Sequence, residues 1–371
     1  MNGVYITQVK AITALGPDLD ALYEGLLKNR TGIREVTRFD TKNYISPYAA
    51  LIGELDPKNS SSLIFELSDR LMDQLTGIDS DCFLITASTK AAIDLIERNN
   101  TGTQIGSEVL PSSLPGYIAN QLGLKDQGIN ISAACASSTI ALAKAASLIT
   151  QGHAEAVLVC CMDIISEFVF AGFSALQAMS PFPATPFDKK RQGLTLGEGA
   201  AALVLMSEQK INSMSIRPLA RICGWGIAND ATHITAPARD GRGLKLAINH
   251  ACKQAAIAPE EICAISAHGT GTVYNDLMEI QAINSIFSEN PVIVNSIKGA
   301  IGHTLGAAGG IEAALCVKIL ENKMMPGTVG FNEPEEGAEN LIASEPKRVQ
   351  GDYILTTNSG FGGINAAIII K

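Results

Sequence analysis

Short, uninterrupted apolar segments recur along the chain and alternate with longer segments of helical character. Eight of them have the length and composition of buried strands: Val4–Val9, Cys82–Thr86, Ala156–Cys161, Ala200–Met206, Ile262–Ser266, Val292–Asn295, Tyr353–Thr357 and Ala366–Ile370. Runs that are apolar at every position indicate a sheet covered on both faces. Four segments favour helices: Asp18–Asn29, Ala134–Thr150, Leu244–Ala256 and Gly306–Glu321. The alternation predicts an α/β fold.

The two halves of the chain repeat one arrangement. In each, a strand-like segment leads into a helix rich in small residues, and an apolar strand follows. The first copy reads INIS, AACASSTIALAKAASLI and AVLVCC, and the second reads VIVNS, GAAGGIEAALCVKIL and YILTTNS. Helices so poor in charge are expected to be buried on all sides. We therefore predict a duplicated fold, with one half at 1–208 and the other at 209–371.

The composition excludes several classes of function. Of the 371 residues, 46% are hydrophobic and 18% are charged, which is typical of a globular protein with a large core. A net charge of −9 and an aromatic content of 5% argue against nucleic-acid binding. No signal peptide or membrane span is visible, and the eight cysteines include no C-x-x-C pair. We expect a reduced, cytoplasmic protein that binds no metal and no membrane.

Cys135 is the first candidate for chemistry. It follows a predicted strand directly and stands at the start of the first buried helix. The N-terminal field of a helix favours a thiolate, and the neighbouring Ala and Ser residues leave room for a substrate. A packed structural cysteine explains the local sequence equally well.

Two histidines lie in Gly-rich turns that follow predicted strands. His268 is part of AHGTGT, and His303 is part of NSIKGAIGHTLGAAGG, five residues after Lys298. Glycines allow a ligand to approach the backbone closely. A cysteine can hold an acyl group, and two imidazoles can polarise a carbonyl oxygen or move protons. Turn-capping histidines are the alternative interpretation.

Five motifs, in order along the chain, resemble those of the β-ketoacyl-[acyl carrier protein] synthases with one Cys and two His. They are AACASS, TPFDKKRQGLTLGEGAAALVL at 185–205, AHGTGT with Asp276 and Glu279, NSIKGAIGHTLGAAGG, and NSGFGGINA at 358–366. The resemblance covers nearly the whole chain. It implies a thiolase-like duplicated fold of five layers, αβαβα, and a dimer formed with itself or with a related subunit.

The resemblance also implies a decarboxylative Claisen condensation. Cys135 would take an acyl group from acyl carrier protein, and malonyl carrier protein would lose carbon dioxide and attack that thioester. His268 and His303 would serve the decarboxylation. The other implied roles are a Lys298–Glu279 pair, an oxyanion hole from the N–H groups of Cys135 and Phe361, a gate at Phe361, and binding of the 4'-phosphopantetheine arm by Thr270 and Thr272. No further cofactor is implied.

A short cationic run offers a docking site for the carrier protein. Lys189, Lys190 and Arg191 form the densest such run, and most carrier proteins are acidic. A solvated loop is the alternative interpretation of the same three residues.

The chain departs from the family pattern in the region before the nucleophile. The turn in CFLITASTKAAI has no Gly, and the segments 63–82 and 99–115 are short. Such regions contribute to the dimer face and the acyl pocket, so the divergence points to a specialised polyketide, aryl polyene or pigment pathway. A non-condensing subunit resembling a chain-length factor is the alternative function. A thiolase would need a second catalytic Cys, and none follows Cys316.

Overall fold

The computed structural model describes residues 3–53, 55, 62–98, 106–288 and 292–371. Within these ranges the strands are β1 (Val4–Thr13), β2 (Arg34–Glu35), β3 (Tyr48–Ala50), β4 (Phe83–Ala87), β5 (Ile129–Ile131), β6 (Ala156–Asp163), β7 (Leu196–Gly197), β8 (Gly199–Ser207), β9 (Ala220–Asn229), β10 (Ile262–Ser266), β11 (Ile293–Asn295), β12 (Met324–Met325), β13 (Lys347–Arg348), β14 (Tyr353–Gly360) and β15 (Ile364–Ile370).

The α-helices of the described residues alternate with these strands. They are α1 (Leu19–Leu27), α2 (Leu63–Met72), α3 (Asp94–Arg98), α4 (Leu114–Leu122), α5 (Ser137–Thr150), α6 (Glu167–Ala175), α7 (Glu208–Met214), α8 (Arg242–Ala255), α9 (Val273–Ile286), α10 (Lys298–Ile301) and α11 (Ala308–Asn322). No described helix is both long and apolar enough to cross a membrane.

Ten strands form one continuous sheet with an internal repeat. Their order is β11-β10-β14-β15-β9-β1-β8-β6-β4-β5. Outward from the central β9–β1 contact, each half shows two antiparallel pairings and then two parallel ones. The central contact is short and joins Val4–Ile6 to Ala220–Ile222. The repeat confirms the predicted duplicated α/β fold, and α7 connects the halves where we propose the boundary at 208/209.

The helices and the two half-sheets form five layers. Helices α5 and α11 pack on each other and lie between the half-sheets, α2 and α4 cover one outer face, and α8 and α9 cover the other. Glycines permit the central packing, since a Cβ on Gly309 would lie 1.9 Å from Oγ1 of Thr139 and one on Gly310 would lie 2.0 Å from Sγ of Cys161. This arrangement confirms the expected αβαβα order.

Most of the elements predicted from the apolar pattern occur near their expected positions. Each of the eight predicted strands overlaps a strand of the central sheet, and the four predicted helices overlap α1, α5, α8 and α11. Asp18 caps α1 by accepting a hydrogen bond from the N–H of Ala21. Of the shortened segment 99–115, residues 99–105 lie outside the described residues.

Candidate active site

The candidate nucleophile stands on a sharp turn between β5 and α5. Ala134 has a φ of +49°, in the left-handed region that residues with a Cβ rarely occupy. The Ser137 hydroxyl stabilises the turn, accepting from the N–H of Ala133 at 2.8 Å and donating to the carbonyl of Ala134 at 2.6 Å. Cys135 is thereby held two residues before the helix, in a buried position.

His303 lies beside this cysteine, although it comes from the other half of the chain. Its Nε2 is 2.9 Å from Sγ of Cys135. The segment between α10 and α11 that carries it pairs with the backbone at β7. The N–H of His303 donates to the carbonyl of Thr195 at 2.7 Å, and the N–H of Gly197 donates to the carbonyl of His303 at 3.0 Å. The GEGA segment of the sequence therefore positions the second histidine.

His268 follows β10, and two carboxylates of α9 hold its turn in place. Glu279 accepts from the N–H of His268 at 2.8 Å and from that of Gly269 at 2.6 Å. Asp276 accepts from the N–H of Thr270 at 3.1 Å. The His268 and His303 rings meet edge to face, with centroids 5.1 Å apart. Burial and the neighbouring Asp276 raise the pKa of Glu279 to about 8.

Lys298 pairs with Glu312 of α11, so the predicted pairing with Glu279 is wrong. Its Nζ lies 2.6 Å from Oε1 of Glu312 and donates to the carbonyl of His268 at 2.5 Å. Both charged side chains are almost fully buried, which makes a direct partner necessary for each. Sequence reasoning missed Glu312, whose signal is a single acidic residue within the apolar segment GAAGGIEAALCV.

Asn358 is a second residue that sequence reasoning missed, and it fixes the tautomer of His268. Its Nδ2 donates to Oε2 of Glu312 at 2.7 Å and lies 3.1 Å from Nδ1 of His268, while its Oδ1 accepts from the hydroxyl of Thr139. The Lys298 ammonium lies 3.4 Å from the same ring nitrogen. Because both neighbours of Nδ1 are donors, Nδ1 accepts and Nε2 carries the proton.

The electrostatics of the site keep all three reactive groups uncharged. Burial, then the Lys298 ammonium, hold the pKa of His303 well below its usual value, and the same two causes act on His268. Burial raises the pKa of Cys135 to about 11, although Lys298 and the N–H of Phe361 favour the thiolate. Burial thus opposes the thiolate charge at Cys135 more strongly than its neighbours and the helix N-terminus favour it.

The cysteine and both histidines open onto one cavity of about 430 Å³. Other site residues predicted from the sequence line it too, namely Thr270, Thr272 and Phe361. The Phe361 ring is half-buried and stacks on Phe173 with centroids 5.8 Å apart. A Cβ on Gly360 would lie 3.1 Å from the backbone nitrogen of Cys135, so the Gly360–Phe361 segment lies against the nucleophile.

The cationic run proposed for docking is only partly at the surface. The Arg191 side chain is 1% exposed and binds Glu335 at 2.8 Å, with Asp276 at 3.6 Å. Arg191 is therefore not available to a partner, and its assignment to docking is wrong. Lys189 and Lys190 are exposed, and Lys190 lies 2.8 Å from Glu333.

The side chains of Cys135, His268 and His303 are also close enough together to ligate a metal ion. Sγ of Cys135 and one nitrogen of each histidine lie within 4.8 Å of one another. Two features oppose this use. The Lys298 ammonium repels a divalent cation, and Nε2 of His268 bears a proton instead of a lone pair. Absence of a metal stays a prediction.

A cysteine with an imidazole 2.9 Å from its sulfur, in a duplicated α/β fold, is the arrangement expected of an acyltransferase that forms a thioester. The family model of the β-ketoacyl synthase N-terminal domain matches residues 76–210, and that of the C-terminal domain matches 219–332. The 3-oxoacyl-[acyl-carrier-protein] synthase 2 of Staphylococcus aureus is 31% identical over 99% of this chain and 98% of its own length. The chain belongs to the β-ketoacyl synthase family of condensing enzymes.

Solved structures agree over the whole chain. The ishigamide ketosynthase/chain length factor structure has a TM-score of 0.89 at 27% identity, covering 100% of this chain and 98% of that one. A β-ketoacyl synthase from Burkholderia phymatum has a TM-score of 0.87 at 26% identity, covering 100% and 99%. The resemblance predicted from the five motifs is thus confirmed at the level of family and fold.

Proposed function

We propose that the protein is a β-ketoacyl-[acyl carrier protein] synthase, which joins an acyl group on Cys135 to the two-carbon unit of a malonyl thioester. The 2.9 Å contact between Cys135 and His303, with His268 beside them in one cavity, carries this proposal. A thiol with a base is the apparatus for acyl transfer, and a second imidazole supplies a donor for decarboxylation.

In the first step, Cys135 takes the acyl group. Its thiol proton passes to Nε2 of His303 as the sulfur attacks the thioester carbonyl. The N–H groups of Cys135 and Phe361 hold the negative oxygen of the tetrahedral intermediate. The carrier's sulfur then leaves with the proton from His303, and the acyl group remains as a thioester on Cys135.

In the second step, the malonyl group loses its carboxylate as carbon dioxide. The electron pair of the broken bond moves onto the thioester carbonyl and forms an enolate. Nε2–H of His268 stabilises the enolate oxygen, and the imidazole of His303 lies next to that of His268, with ring centroids 5.1 Å apart. The enolate carbon attacks the thioester on Cys135, and the displaced thiolate takes up one proton.

Lys298 acts as a positioning residue in this mechanism. It holds the His268 carbonyl and the Glu312 carboxylate, and its charge favours neutral imidazoles. A neutral His268 donates one hydrogen bond from a fixed tautomer, which suits enolate stabilisation. The ion pair therefore supports the chemistry without contacting the substrate.

The substrates would reach the cavity on the 4'-phosphopantetheine arm of an acyl carrier protein. We assign Thr270 and Thr272 to this arm, since their hydroxyls lie 2.9 Å apart in the cavity lining, and we assign Phe361 as the gate. Loss of carbon dioxide drives the reaction, so no further cofactor is needed. We propose a cytoplasmic dimer, either of two copies or with a related subunit, as in the ishigamide ketosynthase/chain length factor.

Intact-protein mass spectrometry with a panel of acyl carrier proteins tests the function. One acyl group should add to the wild type and none to Cys135→Ala. Addition of malonyl carrier protein should then remove that acyl group from Cys135 as a β-keto product two carbons longer. The best acyl donor distinguishes fatty acid from polyketide or aryl polyene synthesis. A wild-type protein that neither acylates nor decarboxylates, alone or with its co-purifying partner, would instead be a non-condensing subunit.

A further inference from the structure

One surface of this acidic protein is cationic. Across residues 231–258 the sequence has four cations, Arg239, Arg242, Lys245 and Lys253, and a single carboxylate, Asp240, whereas the whole chain has a net charge of −9. Arg239, Arg242 and Lys253 are exposed, and Lys245 is half-buried. None of the four forms an ion pair with a carboxylate among the described residues.

This cationic segment begins at the mouth of the active-site cavity. His233, Thr235 and Pro237 line the cavity, and Arg239 follows them directly. The N–H of Gly362, next to Phe361, donates to the carbonyl of Ile234 at 2.6 Å. Arg239 is therefore close in sequence to the cavity lining, and Arg242 and Lys245 follow it on the N-terminal part of α8.

Exposed apolar side chains lie in the same region. Ile234 is 79% exposed, Tyr274 63% and Leu277 40%. A Cβ on Gly241 would lie 2.8 Å from Cβ of Ala282, so the start of α8 rests on α9, which carries Tyr274 and Leu277. Apolar side chains bordered by cations are typical of a surface that binds an acidic amphipathic helix.

We propose that the surface formed by α8, α9 and the loop before α8, defined by Ile234, Arg239, Lys245, Tyr274 and Leu277, docks the acidic carrier protein during acyl transfer and condensation. The inference rests on the proposed function. A tethered thioester obliges its carrier to sit at the cavity mouth, and the unpaired cations provide charge complementarity there. Lys189 and Lys190 are a weaker candidate because Glu333 lies against them and their neighbour Arg191 is buried.

The test compares two pairs of charge reversals in the full-length protein. Arg239→Glu with Lys245→Glu should raise the KM for malonyl and acyl carrier protein about tenfold, with little change in kcat. Lys189→Glu with Lys190→Glu is the matched control and should change KM less. The wild-type KM should rise with added NaCl, and that of the first variant should depend on salt much less.

Untethered substrates separate docking from chemistry. With acyl-pantetheine as donor, and in alkylation of Cys135 by iodoacetamide, the Arg239/Lys245 variant should match the wild type. Ile234→Asp, which places a carboxylate among the exposed apolar residues, should raise KM for the carrier in the same way. A slower reaction with acyl-pantetheine would show that the reversals damage the site itself and would overturn the docking role.

Two further outcomes would overturn the proposal. An unchanged KM in an active Arg239/Lys245 variant would remove docking from this surface while the condensing function stands. A changed oligomeric state by light scattering would make the surface an interface between chains instead. A wild type inactive with both carrier-bound and pantetheine substrates would refute the proposed function itself, so the two failures are distinguishable.

Discussion

The two halves of the molecule place different side chains at equivalent positions of one repeated scaffold. Cys135 and Gly306 occupy equivalent positions. Cys135 lies two residues before α5, and Gly306 lies two residues before α11. Cys135 faces the cavity. Gly306 instead donates its N–H to Asp163 at 2.7 Å, and a Cβ there would lie 2.8 Å from that carboxylate. The proposed nucleophile thus has a purely structural counterpart.

A second equivalent pair shows the same division. Asp163 and Asn358 each lie two residues beyond the last pairing of a parallel strand with β6 or β14. Asp163 accepts from the N–H of Thr89 at 3.0 Å and binds the helix start of the other half through Gly306. Asn358 orients His268, and His268 lies at the position equivalent to Thr89. Asn358 also binds Thr139 of the other half. One position braces the fold, and its counterpart orients a reactive group.

The largest expected effect comes from removing His268. His268→Ala leaves the contact between Cys135 and His303, so acylation should continue, whereas decarboxylation of malonyl carrier protein should fall about 10²- to 10⁴-fold. Stopped-flow release of carbon dioxide and mass spectrometry of the acyl-enzyme measure the two steps separately. His303→Ala is the control and should slow acylation as well. Equal loss of both steps in His268→Ala would contradict the division of roles.

Removing Lys298 tests the buried ion pair that it forms with Glu312 of the central helix α11. Lys298→Met leaves Glu312 as an unpaired buried charge and should destabilise the fold by about 3–5 kcal/mol. Lys298→Met with Glu312→Gln removes both charges and should recover much of that loss. Denaturant unfolding of the two variants measures the difference.

The double variant also gives a pH prediction. Lys298 is one cause of the lowered pKa of both histidines, after burial, so its removal should raise those pKa values. Decarboxylation needs a neutral His268, and its acid limb should move to higher pH than in the wild type. An unchanged acid limb in the rate profile would show that Lys298 does not set the protonation of His268.

Replacing Asn358 with aspartate, the residue type found at the equivalent position 163, should have a smaller effect on the rate of decarboxylation. Asn358→Asp removes the donor to Nδ1 of His268 and places a carboxylate beside Glu312, so the pKa of His268 should rise and its fixed tautomer should be lost. We expect decarboxylation to fall about 10- to 100-fold near neutrality. Asn358→Ala, which adds no charge, is the control. A fall that is equal in both variants would assign the effect to lost packing.

Sequence reasoning singled out Cys135, His268 and His303 from their motifs, and the structure brings these three side chains into one cavity. The residue that pairs with Lys298 was evident only from the structure. Glu279 and Glu312 are both acidic residues on helices after a Gly-rich turn, and spacing cannot say which one meets Lys298. The duplication brings α11 to the centre of the molecule, where Glu312 meets it.

Burial accounts for the other differences between sequence and structure. A helix N-terminus predicts a thiolate at Cys135, yet removal from water opposes the charge. A run of three cations predicts a solvated face, yet Arg191 lies beneath Glu335. Strand β9 was not predicted because Gly224 and Gly226 interrupt its apolar pattern. Both glycines are needed there, since a Cβ on either would lie about 2 Å from a carbonyl oxygen of α8.

The smallest effect on activity is expected from a change at Asp163, which stabilises the fold and does not orient a histidine. Asp163→Asn keeps the shape but places an amide N–H₂ among donors from Ser88, Thr89 and Gly306, so the fold should lose about 1–3 kcal/mol. Below its unfolding temperature the variant should condense at close to the wild-type rate, because no donor to His268 is lost. A large loss of activity without a loss of stability would mean that the two positions are not divided as proposed.

The pH dependence of that variant completes the comparison. Burial raises the pKa of Asp163 in the folded protein. The stability that this carboxyl contributes is therefore fully present below its unfolded pKa of about 4 and declines as the pH rises through the folded pKa. The wild type should exceed Asp163→Asn in stability most at low pH, and the gap should narrow towards neutrality. Urea unfolding at pH 4 and pH 7 measures the difference in stability, and a difference that widens with pH would show that the donors of Ser88, Thr89 and Gly306 hold Asp163 as a carboxylate.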